Sequence, residues 1–298
     1  MQICRFRPAK QSVRLGLRVA ERVYDLTSSG ETHFTSLAAL LQASLSTPIT
    51  TLVDALDLSQ LPHYSYAELE RAPADDASHL LPPVDQQEVW AAGVTYAWSR
   101  EARVREAVSK DIYVRVYDAE RPELFFKSTP EKVVGTHNWI GLRSDSRWNV
   151  PEPELALVLN PAMQIVGYTI GNDVSSRDIE GENPLYLPQA KVFRHACALG
   201  PVITLADEQL DGQNLAIRLT ISRDNAPVFE GTTNTNRMQR RLVDLAAWLG
   251  RDNDFPAGAL LLTGTGIVPG DEFTLHDGDD VAIEIEGIGV LHNHVRQM

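Results

Sequence analysis

Cysteine is almost missing from this 298-residue chain. The two present, Cys4 and Cys197, lie far apart in sequence, which argues against a disulfide framework or a cysteine-based zinc site. Long apolar runs are missing too. No stretch approaches the roughly 20 uninterrupted apolar residues of a membrane-spanning helix. The N-terminal MQICRFRPAK has no apolar run after its basic residues, so no secretory signal is read there. A cytoplasmic protein with no membrane partner is the expectation. Basic residues are outnumbered, 27 Lys and Arg against 40 Asp and Glu, for a formal net charge of −13. Such a field repels phosphate backbones and argues against a nucleic-acid partner. An anionic small substrate fits only where local cations or a metal reverse the field. No internal repeat or long low-complexity tract is evident. What remains, 43% hydrophobic and 22% charged, is an ordinary globular composition with enough chain for one substantial core.

Hydrophobic patterning divides the chain into a small mixed α/β unit, residues 1–80, and a β-rich unit, residues 85–298. The first holds short strands in VRLGLRVA and ERVYDL. A helix in FTSLAALLQASL carries Leu37, Leu40, Leu41 and Leu45 on one face, and a second short helix lies in ITTLVDALDL. APADDASHLLPPVD reads as a linker. Beyond it, VWAAGVTY is a buried strand and the charged run over 101–120 a helix. ELALVLN and QIVGYTIGNDV form a hairpin turning at Asn160-Pro161-Ala162, and LAIRLTISRD with APVFEG forms another. ALLLTGTG, DEFTLHD, DDVAIEIEG and GVLHNHV give four more strands. RMQRRLVDLAAWLG is a helix with Met238, Leu242, Leu245 and Leu249 on one face, ending at Gly250. The fold class is β-dominated α+β, closer to a folded-over antiparallel sheet or roll than to a doubly wound sheet.

The most informative stretch is Pro151-Glu152-Pro153-Glu154 leading into LALVLN. In an extended segment, residues two apart share a face, so Glu152 and Glu154 can converge. With the hairpin turning near residues 161–162, Asp173 returns opposite the start of the first strand. Three carboxylates facing one point repel one another unless a hard divalent cation joins them. All-oxygen ligation suits Mg²⁺, Mn²⁺ or Ca²⁺ rather than zinc. Spacing alone does not separate this reading from solvent-facing glutamates.

PEPELALVLN followed by GYTIGNDVSSRD resembles the signature of the fumarylacetoacetate hydrolase family. The resemblance runs through most of residues 85–298 and includes LFFKSTP (Leu124–Pro130), LPQAKVF, Gly200-Pro201 and LLTGTG (Leu261–Gly266). It implies a β-roll catalytic domain with a smaller N-terminal domain, and metal ligation by Glu152, Glu154 and Asp173. It also implies a functional Lys191 and Arg177, a substrate-carboxylate contact at Thr265, and a homodimer or higher homo-oligomer.

Hydrolytic members carry a His and a Glu shortly after the first buried strand, where they activate water. Here Gly93 and Tyr96 are kept, but Ser99 and Ala102 stand at those places. Serine is a poor general base near neutral pH. GVTYAWSREAR with VYDAERPELFFK is similar to a dehydratase branch that acts on 2-keto-3-deoxy sugar acids. Metal ligation of the 2-keto acid would acidify the C3 proton, a base would remove it, and the C4 hydroxyl would leave as water. The resemblance implies Glu123 as that base; Glu106, in a charged helical run, is the reserve candidate, and Lys191 reads as a fixed cation toward the enolate or carboxylate. Tyr96, Ser99, Lys127, Arg177 and Thr265 are the candidate substrate contacts. The alternative is a hydrolase or decarboxylase of an acylpyruvate.

Other signals carry less. His292-x-His294 lacks a visible third ligand, and Asp277-Gly278-Asp279-Asp280 lacks the calcium-loop spacing. Gly264-Thr265-Gly266 is not a phosphate loop. His195 and Cys197 read as packing residues.

Overall fold

The computed structural model describes residues 1–97, 115–207 and 210–298. Strands dominate. The larger sheet has eleven strands, ten of them in the spatial order His63–Ser65, Arg22–Asp25, Arg14–Val19, Gln2–Arg7, Cys197–Leu205, Ile165–Asp173, Pro153–Leu159, Ala259–Leu262, Glu88–Gly93 and Glu123–Ser128. The eleventh, His79–Leu81, pairs with Gln2–Arg7. A five-stranded sheet runs Ala226–Asn234, Ala216–Arg223, Asp280–Ile285, Gly289–Gln297 and Trp139–Leu142.

The central strand Pro153–Leu159 explains the layering. All seven of its residues are buried, so LALVL reads as a continuous apolar run because both faces are covered. Leu155, Leu157 and Leu159 join a core with Ile217, Leu219, Ile283 and Val295 of the five-stranded sheet. Ala156 and Val158 point the other way, into a core with Leu37, Leu40, Leu41, Ile49 and Val53 from two N-terminal helices. Those helices are Leu37–Ala43 and Ile49–Asp54. The order is therefore small sheet, large sheet, helices. Each fully buried Leu or Ile contributes on the order of 1.5–3 kcal/mol.

The N-terminal 80 residues share both this sheet and this core. Gln2 and Ile3 sit opposite Thr204 and Ile203, so the large sheet runs unbroken from the first strand into Cys197–Leu205 and the strands beyond it. The expected linker takes part as well. His79–Leu81 is a strand, and the Asp85 carboxylate accepts from the amides of Leu37 (2.7 Å) and Ala38 (3.2 Å), capping that helix beside Ser36.

Several sequence expectations shift. Leu45 lies beyond the first helix and is 42% exposed. DEFTLHD forms no strand: its segment turns at Asp271 and Glu272, and Thr274 ties to Asn149 instead. The C-terminal helix is shorter, Leu242–Leu249, burying Leu242, Leu245, Ala246 and Leu249. Met238 precedes it in extended backbone and bridges Tyr96. Most of the run expected as a helix over 101–120 lies outside the described residues. Among the described residues no helix is long and apolar enough to cross a membrane.

Candidate metal centre and active-site cavity

Pro153 opens its strand, where a missing N–H costs no ladder bond. Pairing to Ile165–Asp173 begins at once, with Pro153 opposite Asn172 and Glu154 opposite Gly171, and the Asp173 amide donates to the Glu152 carbonyl at 3.0 Å. Pairing to Ala259–Leu262 begins only at Ala156, so the start of the strand faces the following loop. Gly171 opposite Glu154 is required by space, since a Cβ there would lie 2.5 Å from Leu262 Cδ2. The outcome is convergence: one carboxylate oxygen from each of Glu152, Glu154 and Asp173 lies within 4.8 Å of the others, and all three residues are buried.

Each carboxylate also has a donor from the protein. Arg177 Nη2 lies 2.7 Å from Glu152 Oε1. The Gly264 amide donates to Glu154 Oε2 at 2.6 Å. Lys127 Nζ forms an ion pair with Asp173 Oδ1 and donates to the carbonyls of Val174 (3.1 Å) and Lys191 (2.5 Å). Lys191 Nζ donates to Glu152 Oε2 at 2.6 Å and Asp173 Oδ2 at 2.9 Å. Burial, followed by the negative charges of Asp173 and Glu152, pushes the Glu154 carboxyl well above the ordinary carboxylate range, against the opposing pull of Lys191 and the Gly264 amide.

Short helices deliver the cations. Arg177–Glu182 starts where Ser175 and Ser176 pair with Val150 and Asn149, and the Asp178 carboxylate binds the Ser146 hydroxyl at 2.6 Å and the Arg147 amide at 2.8 Å. Leu187–Lys191 ends on Lys191 itself.

The cavity beside the triad is lined by Gly93, Glu123, Phe125, Glu180, Lys191 and Thr265, among others. Glu123 opens an outer strand of the large sheet and pairs with Gly93. A Cβ at Gly93 would fall 2.0 Å from Glu123 Oε2, so the glycine makes room for this carboxylate. Gly264 has φ +91, and a Cβ there would meet Thr95 Oγ1 at 2.1 Å; the loop reaches Glu154 because this residue is glycine. Thr265 lines the cavity with its hydroxyl donating to the Ile267 carbonyl. Tyr96 is buried against Gly266, and burial first, then Glu154, raises its hydroxyl pKa.

Glu123, Lys191 and Thr265 thus share one cavity with the three carboxylates. Lys127 and Arg177 sit behind Asp173 and Glu152 rather than in the cavity lining. Ser99 and Glu106 lie outside the described residues. Glu180 is the residue that sequence reasoning missed. It is buried and lines the cavity three residues after Arg177, and its carboxyl in an R-x-x-E run was the available signal.

The donor set suits a hard divalent cation: three buried carboxylates that offer oxygens only. Among the described residues, the carboxylates Glu123, Glu152, Glu154, Asp173 and Glu180 face the cations Lys127, Arg177 and Lys191.

The other sequence signals are structural. His294 pairs with Asp280, His292 stacks on His137, and His195 Nδ1 contacts the Trp139 carbonyl. Cys4 and Cys197 are free and buried. Asp279 accepts two hydrogen bonds from Arg223.

Residues 88–296 match the family model described as Fumarylacetoacetate (FAA) hydrolase C-terminal. A Haloferax volcanii protein named "Probable 2-keto-3-deoxyxylonate dehydratase" is 44% identical over 284 residues, covering 91% of this chain and 98% of its own. The 2-dehydro-3-deoxy-D-arabinonate dehydratase of Saccharolobus solfataricus is 49% identical over 222 residues, 73% of this chain and 74% of that one. A solved structure, "2-keto-3-deoxy-D-arabinonate dehydratase complexed with magnesium and 2,5-dioxopentanoate", has a TM-score of 0.83 at 37% identity, covering 100% of this chain and 99% of that chain.

Proposed function

Because the chain belongs to the fumarylacetoacetate hydrolase family, we propose that it is a Mg²⁺-dependent hydro-lyase that removes water from a 2-keto-3-deoxy sugar acid of the pentonate type. One observation carries the reading: the Glu152, Glu154, Asp173 triad opens onto a cavity that also holds Glu123, Glu180 and Lys191.

Glu152, Glu154 and Asp173 would hold the ion. When bound, a hard divalent cation polarises a carbonyl oxygen and acidifies the neighbouring C–H. Lys191 adds a fixed positive charge in the cavity for the substrate's carboxylate or its developing enolate. Glu123, free of metal duty, takes the proton from C3. The C4 hydroxyl then leaves with a returned proton, so the net loss is one water. A saturated semialdehyde requires the new double bond to migrate, with one proton taken from C5 and one returned at C3, and the resulting C4=C5 enol to ketonise, its hydroxyl proton lost and one proton returned at C4. Glu180 is the other carboxylate of the cavity outside the triad and serves that transfer. None of these steps needs an activated water, which accords with Ser99 and Ala102 standing where hydrolytic members carry His and Glu.

The family reading also implies a homodimer or higher homo-oligomer, which sedimentation checks. The activity test supplies metal-stripped protein with Mg²⁺ and a 2-keto-3-deoxypentonate. A 2,5-dioxo acid should form, and should not form without the metal. Failure to turn over that substrate, with cleavage of a 2,4-diketo acid to pyruvate, would replace dehydration by hydrolysis.

A further inference from the structure

We infer that Arg240 is a positioning residue for Glu123: it fixes the chain segment that enters the Glu123 strand, and through it the place of the carboxylate in the cavity, an inference that rests on the reading of Glu123 as the base.

Glu123 and Gly93 face one another across two strands beside the cavity, and both sit at strand ends. The place of a residue at a strand end depends on the chain that leads away from it. Here both flanking segments are tied to one short loop, residues 238–241, ahead of the helix Leu242–Leu249.

On the Gly93 side the ties run mainly through the backbone. Val94 has φ +52, in the left-handed region, which a β-branched residue adopts only where its surroundings enforce it. Val116 and Tyr117 pack against the Val94 side chain. The Thr95 hydroxyl donates to the Thr263 carbonyl at 2.7 Å, and the Thr95 carbonyl accepts from the Gln239 amide at 2.9 Å. Tyr96 bridges Met238.

On the Glu123 side the tie is Arg240. Residues 115–118 are helical, and the last carbonyls of a helical turn have no partner within it. The Arg240 guanidinium reaches three carbonyls of this stretch. Nη2 donates to Val116 at 3.1 Å and Ala119 at 2.5 Å, and Nη1 donates to Glu120 at 3.0 Å. A planar fork of fixed donors suits several carbonyls at once, which a lysine ammonium on a flexible stem does not match. Arg240 is anchored in turn. Its carbonyl accepts from Gln213 Nε2 at 3.3 Å, while Gln213 Oε1 accepts from the Leu242 amide at 3.1 Å. Just beyond, the Arg121 guanidinium lies 4.6 Å from the centre of the Trp248 ring, and only Pro122 separates it from Glu123. Arg240 itself lies outside the cavity lining, so its effect on turnover passes through the segments it holds.

The test measures turnover of a 2-keto-3-deoxypentonate by the full-length protein with Mg²⁺. Arg240→Met should lower kcat about 10–100-fold with KM within about threefold of wild type, and Arg240→Lys should recover part of the loss. Mg²⁺ affinity by calorimetry should stay within about twofold. The double variant separates positioning from a general structural role. In Glu123→Gln protein, Arg240→Met should cost less than about twofold more, because residues acting through one proton transfer are not additive. Where Arg240→Met does not fold, Arg240→Gln, with one amide for three carbonyls, enters the same cycle. Wild-type kcat in folded Arg240→Met or Arg240→Gln overturns the inference, as does the full loss repeated on top of Glu123→Gln. Glu123→Gln at the wild-type rate overturns the base reading beneath it, and the inference with it.

Discussion

Asp173 faces Glu152 across a strand pair, its amide donating to the Glu152 carbonyl at 3.0 Å. Two ligand candidates from opposite ends of a hairpin are therefore held by backbone pairing, before any side chain is considered. Glu152→Ala removes one corner of the triad. It should abolish Mn²⁺ or Mg²⁺ binding by calorimetry and lower kcat on the order of 10³-fold or more, since a Lewis-acid ion contributes several kcal/mol.

Glu123→Gln keeps the shape of the cavity and removes the proposed base. The substitution should lower kcat by about 10²–10⁴-fold while leaving metal affinity within about twofold of wild type. A variant that loses metal binding in parallel would place Glu123 with the ligands rather than with the proton transfer.

Gly264→Ala introduces a Cβ 2.1 Å from Thr95 Oγ1 at a residue with φ +91. Strain and overpacking together should cost about 2–4 kcal/mol, visible as a lower urea midpoint. Because the Gly264 amide holds Glu154, metal affinity should fall as well. A surface glycine such as Gly270, with nothing near its Cβ, should accept alanine without either effect.

Burial pushes the Cys4 thiol up to about 12, with Arg18 opposing. The folded chain keeps this proton at pH values where the unfolded chain, at the ordinary 9.0, loses it. Stability from this group is therefore complete below pH about 9 and lost as pH rises toward about 12. Urea midpoints should fall between about pH 8 and about pH 10.5, and less steeply in Cys4→Ala.

A chain beginning at residue 85 lacks the strand that pairs with Cys197–Leu205 and the helices that cover Ala156, Val158, Leu260 and Leu262. Exposing that sheet face should give an aggregated product, measured by light scattering. A soluble, cooperatively unfolding fragment would make the N-terminal 80 residues a separable domain.

How far the sequence reveals this site depends on the range of each rule. That Glu152, Glu154 and Asp173 can converge was legible because alternation along a strand and return through a hairpin are local rules, but it took the family resemblance to single them out as ligands. Glu123, Phe125 and Lys127 also alternate on one strand, which brings two to the cavity and the third behind Asp173. The helices carrying Arg177, Glu180 and Lys191 have six and five residues, too short for a helical period to register. Nothing local in MQICRF signals that Gln2 will sit opposite Thr204, so the continuity of the large sheet was invisible.

The central claim, dehydration at a carboxylate-held Mg²⁺, is tested most directly by one NMR experiment. Full-length protein with Mg²⁺ receives an equal mixture of a 2-keto-3-deoxypentonate and an acylpyruvate. The account predicts that the sugar acid alone is consumed, giving a 2,5-dioxo acid, and that chelation stops its formation. Pyruvate released from the acylpyruvate while the sugar acid persists would contradict it.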